Sequence, residues 1–202
     1  MKQTLPQSLR LGLAAAALIV TGASAQAQES NVSFIDVSEN VLTGGFSLAD
    51  VQAFTSLTGT GLNFALDTEQ GSSTTPAGYG TVPTAAIDGI TTGVYDGGPT
   101  SDLWHEPEAD TGKLNTYRVA LDTPQTVGSI RLFGRTGCCE DRDNDIQVTL
   151  RNANGDVLFT QATAIPDGAD RQVLVSVPEP SAFVLGALGT AGLAFLRRRR
   201  AV

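Results

Sequence analysis

The sequence predicts an all-β domain, and three observations predict it. Apolar and polar residues alternate in short runs instead of recurring at helical spacing. Compact clusters of Gly, Pro, Asn and Asp separate those runs. The runs follow one another at the short, regular intervals expected of a β-sandwich.

In chain order, residues 28–60 are rich in Ser, Thr, Gly and Val with no helical period, and read as a lead-in strand and connector. Thr43-Gly44-Gly45 is a turn signal there. Ser47–Phe54 reads as one short helix capped by Ser47. Strands dominate from Asn63. Tyr117, Val119 and Leu121 share one face of a first strand, and Asp122–Gln125 reads as the turn that ends it. A second strand over Thr126–Arg135 turns Ile130 and Leu132 one way and Arg131, Phe133 and Arg135 the other. Ile146, Val148 and Leu150 alternate in a third. Asn154-Gly155 is a favoured tight-hairpin pair, and Val157-Leu158-Phe159 follows it. Pro166-Asp167-Gly168 is a further turn before the alternating Val173, Val175 and Val177. Residues 61–177 are long enough to bury one core. The long polar loops 67–85 and 91–116 are where a binding site is expected.

The ends have other work. Residues 1–27 read as a secretory signal peptide: Lys2 and Arg10 are basic, Leu11–Val20 is a short apolar run, and Ala23-Ser24-Ala25 and Ala25-Gln26-Ala27 offer small-residue cleavage sites. At the other end Pro178-Glu179-Pro180 precedes an apolar or small stretch, 181–196, and then Arg197, Arg198, Arg199 and Arg200. The stretch is near the lower limit for a spanning helix, and its arginines would be held on the cytoplasmic side. This order over 178–202 resembles the PEP-CTERM sorting tail of Gram-negative bacteria. The resemblance implies a transient inner-membrane tether through a transmembrane helix, cutting by an exosortase-type protease, and delivery to the cell surface or extracellular matrix. A permanent C-terminal anchor is the alternative.

Charge narrows the partners. The whole chain carries −8, but residues 28–177 hold 7 basic and 20 acidic residues, a net of −13. Such a body excludes nucleic acid, which is bound by neutralising phosphates. It is compatible with neutral ligands and cations.

The single His and the two Cys fall close together, as His105 and Cys138-Cys139. In an exported protein cysteines tend to pair, and here the only partner within the chain is the sequence neighbour. Neighbouring Cα atoms are about 3.8 Å apart, so a vicinal bond closes no useful loop but offers a flat sulfur face. Two thiols or an intermolecular bond are the alternatives. The spacing does not suit zinc. Arg135 and Arg142 flank the cysteines as donors that could serve a sugar hydroxyl. Alternatively they pair with Glu140, Asp141, Asp143 or Asp145.

Asn63-Phe64-Ala65-Leu66, Ala86-Ile87-Asp88-Gly89, Trp104-His105, Tyr117–Leu121 and Arg135–Arg142, taken together, resemble an F-type lectin (fucolectin) domain. That family belongs to the discoidin-like, galactose-binding jelly-roll class, and the resemblance covers about 63–177. It implies a fucose-like sugar held by His105, Arg135 and Arg142 against a Cys138–Cys139 disulfide. It also implies a structural calcium near Asp88, which backbone carbonyls and Asp96 would have to help hold; a plain turn or cap residue is the alternative for Asp88. Gly137 stands where the motif has Asp, Ala120 replaces an Asp, and Ile90 occupies a calcium-ligand position. Trp104 reads as either a site-lining or a core residue.

The expectation is therefore an exported, non-enzymatic lectin module whose partners are glycans or exopolysaccharide. The alternative is a non-binding structural matrix or biofilm protein that uses the jelly roll as a scaffold. An enzyme finds no nucleophile setting around the single His.

Overall fold

The structure, a computed structural model, describes residues 28–40, 46–73, 75, 80–106, 114–137, 139–168 and 171–177. The expected signal peptide and the sorting tail from Pro178 lie outside them. Among the described residues no helix is long and apolar enough to cross a membrane.

Among the described residues ten strands form: β1 Glu29–Glu39, β2 Ser47–Leu48, β3 Asp50–Phe54, β4 Gly71–Ser73, β5 Trp104–His105, β6 Thr116–Val127, β7 Ser129–Phe133, β8 Ile146–Arg151, β9 Val157–Thr163 and β10 Gln172–Ser176. The only helical pieces among the described residues are 3-10 turns, at Pro83–Ala86 and Glu140–Asp143. The all-β expectation holds. A five-stranded sheet runs β4-β6-β1-β8-β9, a three-stranded sheet runs β10-β7-β3, and β2 pairs with β5. All the pairings are antiparallel.

The alternation read from the sequence decides which face is buried. Ile35 and Val37, Tyr117 and Val119, and Val148 and Leu150 turn inward from the larger sheet. They meet Val51, Ala53, Ile130, Leu132 and Val175 of the smaller one in a single core. Trp104 is wholly buried there, 5.8 Å from the Phe46 ring and 5.1 Å from that of Tyr117. It is a core residue, not a site-lining one.

Three local expectations are corrected. Ser47–Phe54 is not a helix but two short strands, because Val51 and Ala53 enter the core while the backbone ladders onto β7. Tertiary pairing overrides its helix propensity. The stretch 28–60 is more than a lead-in: β1 lies between β6 and β8. Asp122–Gln125 is not a turn but a bulged part of β6. Val32 pairs with Gln125 and Phe34 with Ala120, so two steps along β1 answer five along β6. The reversal comes at Gly128, where the chain passes from one sheet to the other. A Cβ there would lie 2.1 Å from the Thr55 carbonyl oxygen, so only glycine fits.

The registers give the sandwich two poles. Glu39, Thr116, Phe133, Ile146 and Gln172 end or begin their strands at one pole, the loop pole. Gln28 and Val177 lie at the other. The Gln28 side-chain amide donates to the Thr55 carbonyl at 2.9 Å, and the Val177 N–H donates to Gly128 at 3.0 Å.

Candidate functional site

At the loop pole, three chain segments converge. His105 is carried on β5, held by pairing with Ser47 and by its N–H donating to Thr81 Oγ1 at 3.0 Å. Arg135 follows β7, and Arg142 sits in the 3-10 turn before β8. His105 is 5% exposed, and its Nδ1 lies 3.2 Å from the Glu106 carbonyl oxygen. Burial lowers its pKa below the ordinary value, and the charges of Arg135 and Arg142 lower it further. The imidazole is therefore neutral at pH 7 and can both donate and accept. The structure thus brings together the three polar side chains that the sequence singled out.

Tyr95 completes the cluster. Its ring lies 5.7 Å from that of His105, and the Arg135 guanidinium stacks over it at 4.8 Å. Arg135 is 9% exposed, and its Nε has no hydrogen-bond partner. A buried donor without an acceptor is costly, and a ligand oxygen would relieve it. Sequence reading missed Tyr95 because it lies in a polar loop with no strand periodicity.

The cysteine segment is partly described. Cys139 stands in left-handed backbone at φ 58, just before the 3-10 turn. Cys138, and with it the expected Cys138–Cys139 disulfide, lies outside the described residues. Gly137 has φ 90 and open space around its would-be Cβ. A side chain here, including the motif's Asp, would be strained in this conformation.

Two of the acidic residues expected near the arginines, Asp143 and Asp145, bond other side chains. Asp143 is buried and bonds Arg171 Nη2 at 2.7 Å; burial pushes its carboxyl up to about 6 against the pull of Arg171. Asp145 accepts from the Asn40 side chain at 2.7 Å. A further carboxylate, Glu106, interacts through its charge with Arg142. It is fully buried beside Glu39, and the Asn115 amide donates to both. Burial and the neighbouring Glu39 raise Glu106 to about 7. Both glutamates were missed because 67 residues of chain separate them.

Asp88 is placed in the loop after the Pro83–Ala86 turn. Its Oδ1 accepts the Ile90 N–H at 2.7 Å, the geometry of a turn residue. Burial raises its pKa, and so do the charges of Asp102 and Asp67. Asp96 is bound to its own loop, accepting from Ser101 Oγ at 2.6 Å and from Thr100. Among the described residues no three His, Cys, Asp or Glu side chains stand close enough to hold a metal ion. Asp88 thus has acidic neighbours but no ready cage among the described residues.

Comparison with known proteins matches residues 176–200 to the PEP-CTERM protein-sorting motif. No curated protein and no solved structure matches the chain. The motif indicates a protein that is exported, processed by an exosortase-type protease and sorted, in association with the membrane, toward the cell surface.

Proposed function

We propose that this exported protein is a lectin-like surface or matrix module that binds a neutral, fucose-like sugar at its loop pole. The reading takes the sandwich as a galactose-binding-like jelly roll and the body as a non-enzymatic one. One observation carries it: His105 meets the sequence-distant Arg135 and Arg142 at one pole, where the Arg135 Nε lacks an acceptor. A sugar hydroxyl can accept from a guanidinium while donating to the neutral His105. Tyr95 fixes the Arg135 plane, and so reduces the entropy lost on binding. A vicinal Cys138–Cys139 disulfide would give the apolar side of the ring a surface to pack on.

The binding reading fits better than a hydrolase. Glu39 and Glu106 share one amide and lie in direct contact, closer than the roughly 5–9.5 Å that glycosidase carboxylates require. A non-binding structural matrix protein is the second reading. It is favoured by the open space around Gly137, which stands where the motif has an Asp side chain.

Glycan-array binding by the oxidised protein, beside a His105→Ala, Arg135→Ala variant, separates the two. Saturable binding to fucose-containing or related glycans, weakened about 10- to 100-fold in the variant, is expected from the loss of charge-assisted hydrogen bonds. Binding that survives the variant would move the site elsewhere. No binding by a folded, multivalently displayed domain would leave the scaffold reading.

A further inference from the structure

A second pair of arginines lies on the outward face of the five-stranded sheet. β1, β6 and β8 turn Asp36, Arg118 and Arg151 away from the core. Asp36 accepts from Arg118 Nε at 2.6 Å and Nη2 at 2.7 Å, and from Arg151 Nε at 2.8 Å. It is 3% exposed, and both its oxygens are engaged. Arg118 is further fixed by stacking on the Phe34 ring at 5.0 Å, and Arg151 by donating to the Gly155 carbonyl at 3.0 Å. Their side chains stay 40% and 31% exposed. Arg118 Nη1 and Arg151 Nη2 engage no acceptor among the described residues.

These two guanidiniums line a groove of about 410 Å³, together with the hydroxyls of Ser38, Thr116 and Thr149 and the Gln147 amide. Two fixed positive charges share one negative charge, so the groove carries a local surplus of +1 in an acidic body. Every unused nitrogen of the two guanidiniums is a donor. The acceptor it lacks is an anionic oxygen, for which an Arg fork is suited. The hydroxyls and amide beside it suit the alcohol groups of a sugar chain. Among the described residues that line the groove none is aromatic, and the nearby Phe34 lies under Arg118, so no aromatic face there is open to stack a base.

We propose that this sheet face is a second binding site, separate from the loop pole, for an acidic polysaccharide carrying uronate carboxylates. The carboxylate sits against Arg118 and Arg151, and the chain crosses β6, β1 and β8. The site does not depend on the sugar reading of the loop pole.

The test is native electrophoresis of the full chain in mild non-ionic detergent, through gels containing polygalacturonate. Arg197→Gln, Arg198→Gln, Arg199→Gln and Arg200→Gln are introduced throughout, so that the tail contributes nothing. Retardation is expected, with at least about tenfold weaker apparent affinity in Arg118→Gln, Arg151→Gln. The fully methyl-esterified polymer should bind equally weakly. His105→Ala, Arg135→Ala should bind polygalacturonate as the parent does, which separates this site from the loop pole. Gln147→Glu leaves the Asp36 network intact and adds a repelling charge, so it must also weaken binding. The proposal is overturned by an unretarded parent, by equal binding of the ester, or by Gln147→Glu binding unchanged. Single-stranded DNA retarding the parent as strongly as polygalacturonate would overturn the choice of ligand.

Discussion

The loop pole and the outer sheet face each hold two arginines, but they fix them by different means. Arg118 and Arg151 are clamped by one buried carboxylate on the strand between them. Arg135 instead lies on the ring of Tyr95 and leaves its Nε without a partner. The sheet pair is built on long, laddered strands. The loop pair depends on the two-residue strands β2 and β5, on the loop that carries Tyr95, and on the turn that carries Arg142. A carboxylate clamp stabilises the fold and leaves outward-facing donors for an anion. An aromatic support leaves an unsatisfied donor, which is the better preparation for a neutral hydroxyl. Under the two proposed readings, the same residue type would be matched to different ligand chemistry by what lies behind it.

The contrast is broken most readily at Asp36. Asp36→Ala leaves two adjacent guanidiniums without their acceptor and should cost about 1–3 kcal/mol of stability, measured by urea unfolding. It should also disorder the sheet groove while sparing glycan binding at the loop pole. A variant as stable as the parent would show that the clamp contributes little to the fold.

Acid–base behaviour sharpens the comparison next. Burial and Glu39 hold the Glu106 carboxyl at about 7, and burial holds Asp50 at about 7 and Asp143 at about 6. Each binds its proton more tightly folded than unfolded. The stability they give is therefore complete below the ordinary carboxylate range and is lost as pH rises through the folded values. Tm should fall between about pH 4 and 7, and Glu106→Gln should flatten part of that slope. A Glu106→Gln profile parallel to the parent's would remove the carboxylate pair as its cause.

The smallest expected effect concerns Asp88. If calcium binds there, a chelator should lower Tm by a few degrees, consistent with weak-site linkage of about 1–2 kcal/mol, and Asp88→Asn should abolish the difference. No shift in the parent would leave Asp88 a turn residue, as its bond to Ile90 already makes it.

The loop-pole arginines were legible in sequence because they lie seven residues apart in a compact segment, and the alternating strands were legible because one face of each is buried. Asp36, Arg118 and Arg151 carry no such signal. They become neighbours only through strand register, which sets Asp36 opposite Arg118 on one side and lays β8 along the other. Ser47–Phe54 was misread for a related reason: its residues tolerate a helix, and only the ladder to β7 makes them strands. Tyr95, Glu39 and Glu106 were hidden in another way. Each acts on the site through a contact made across loops, and no spacing along the chain records it.

The position of Val177 has a mechanical consequence. The chain leaves β10 at the pole opposite His105, where the matched sorting motif begins. A protein tethered by that tail and holding a ligand at its loop pole would be pulled along the length of the sandwich. β10 runs down that axis, bonded to β7 from Gln172 to Ser176. Tension would therefore load all the rungs of this ladder together in shear rather than peeling them one by one. The edge strand nearest the tether is set in the direction that best resists flow or drag.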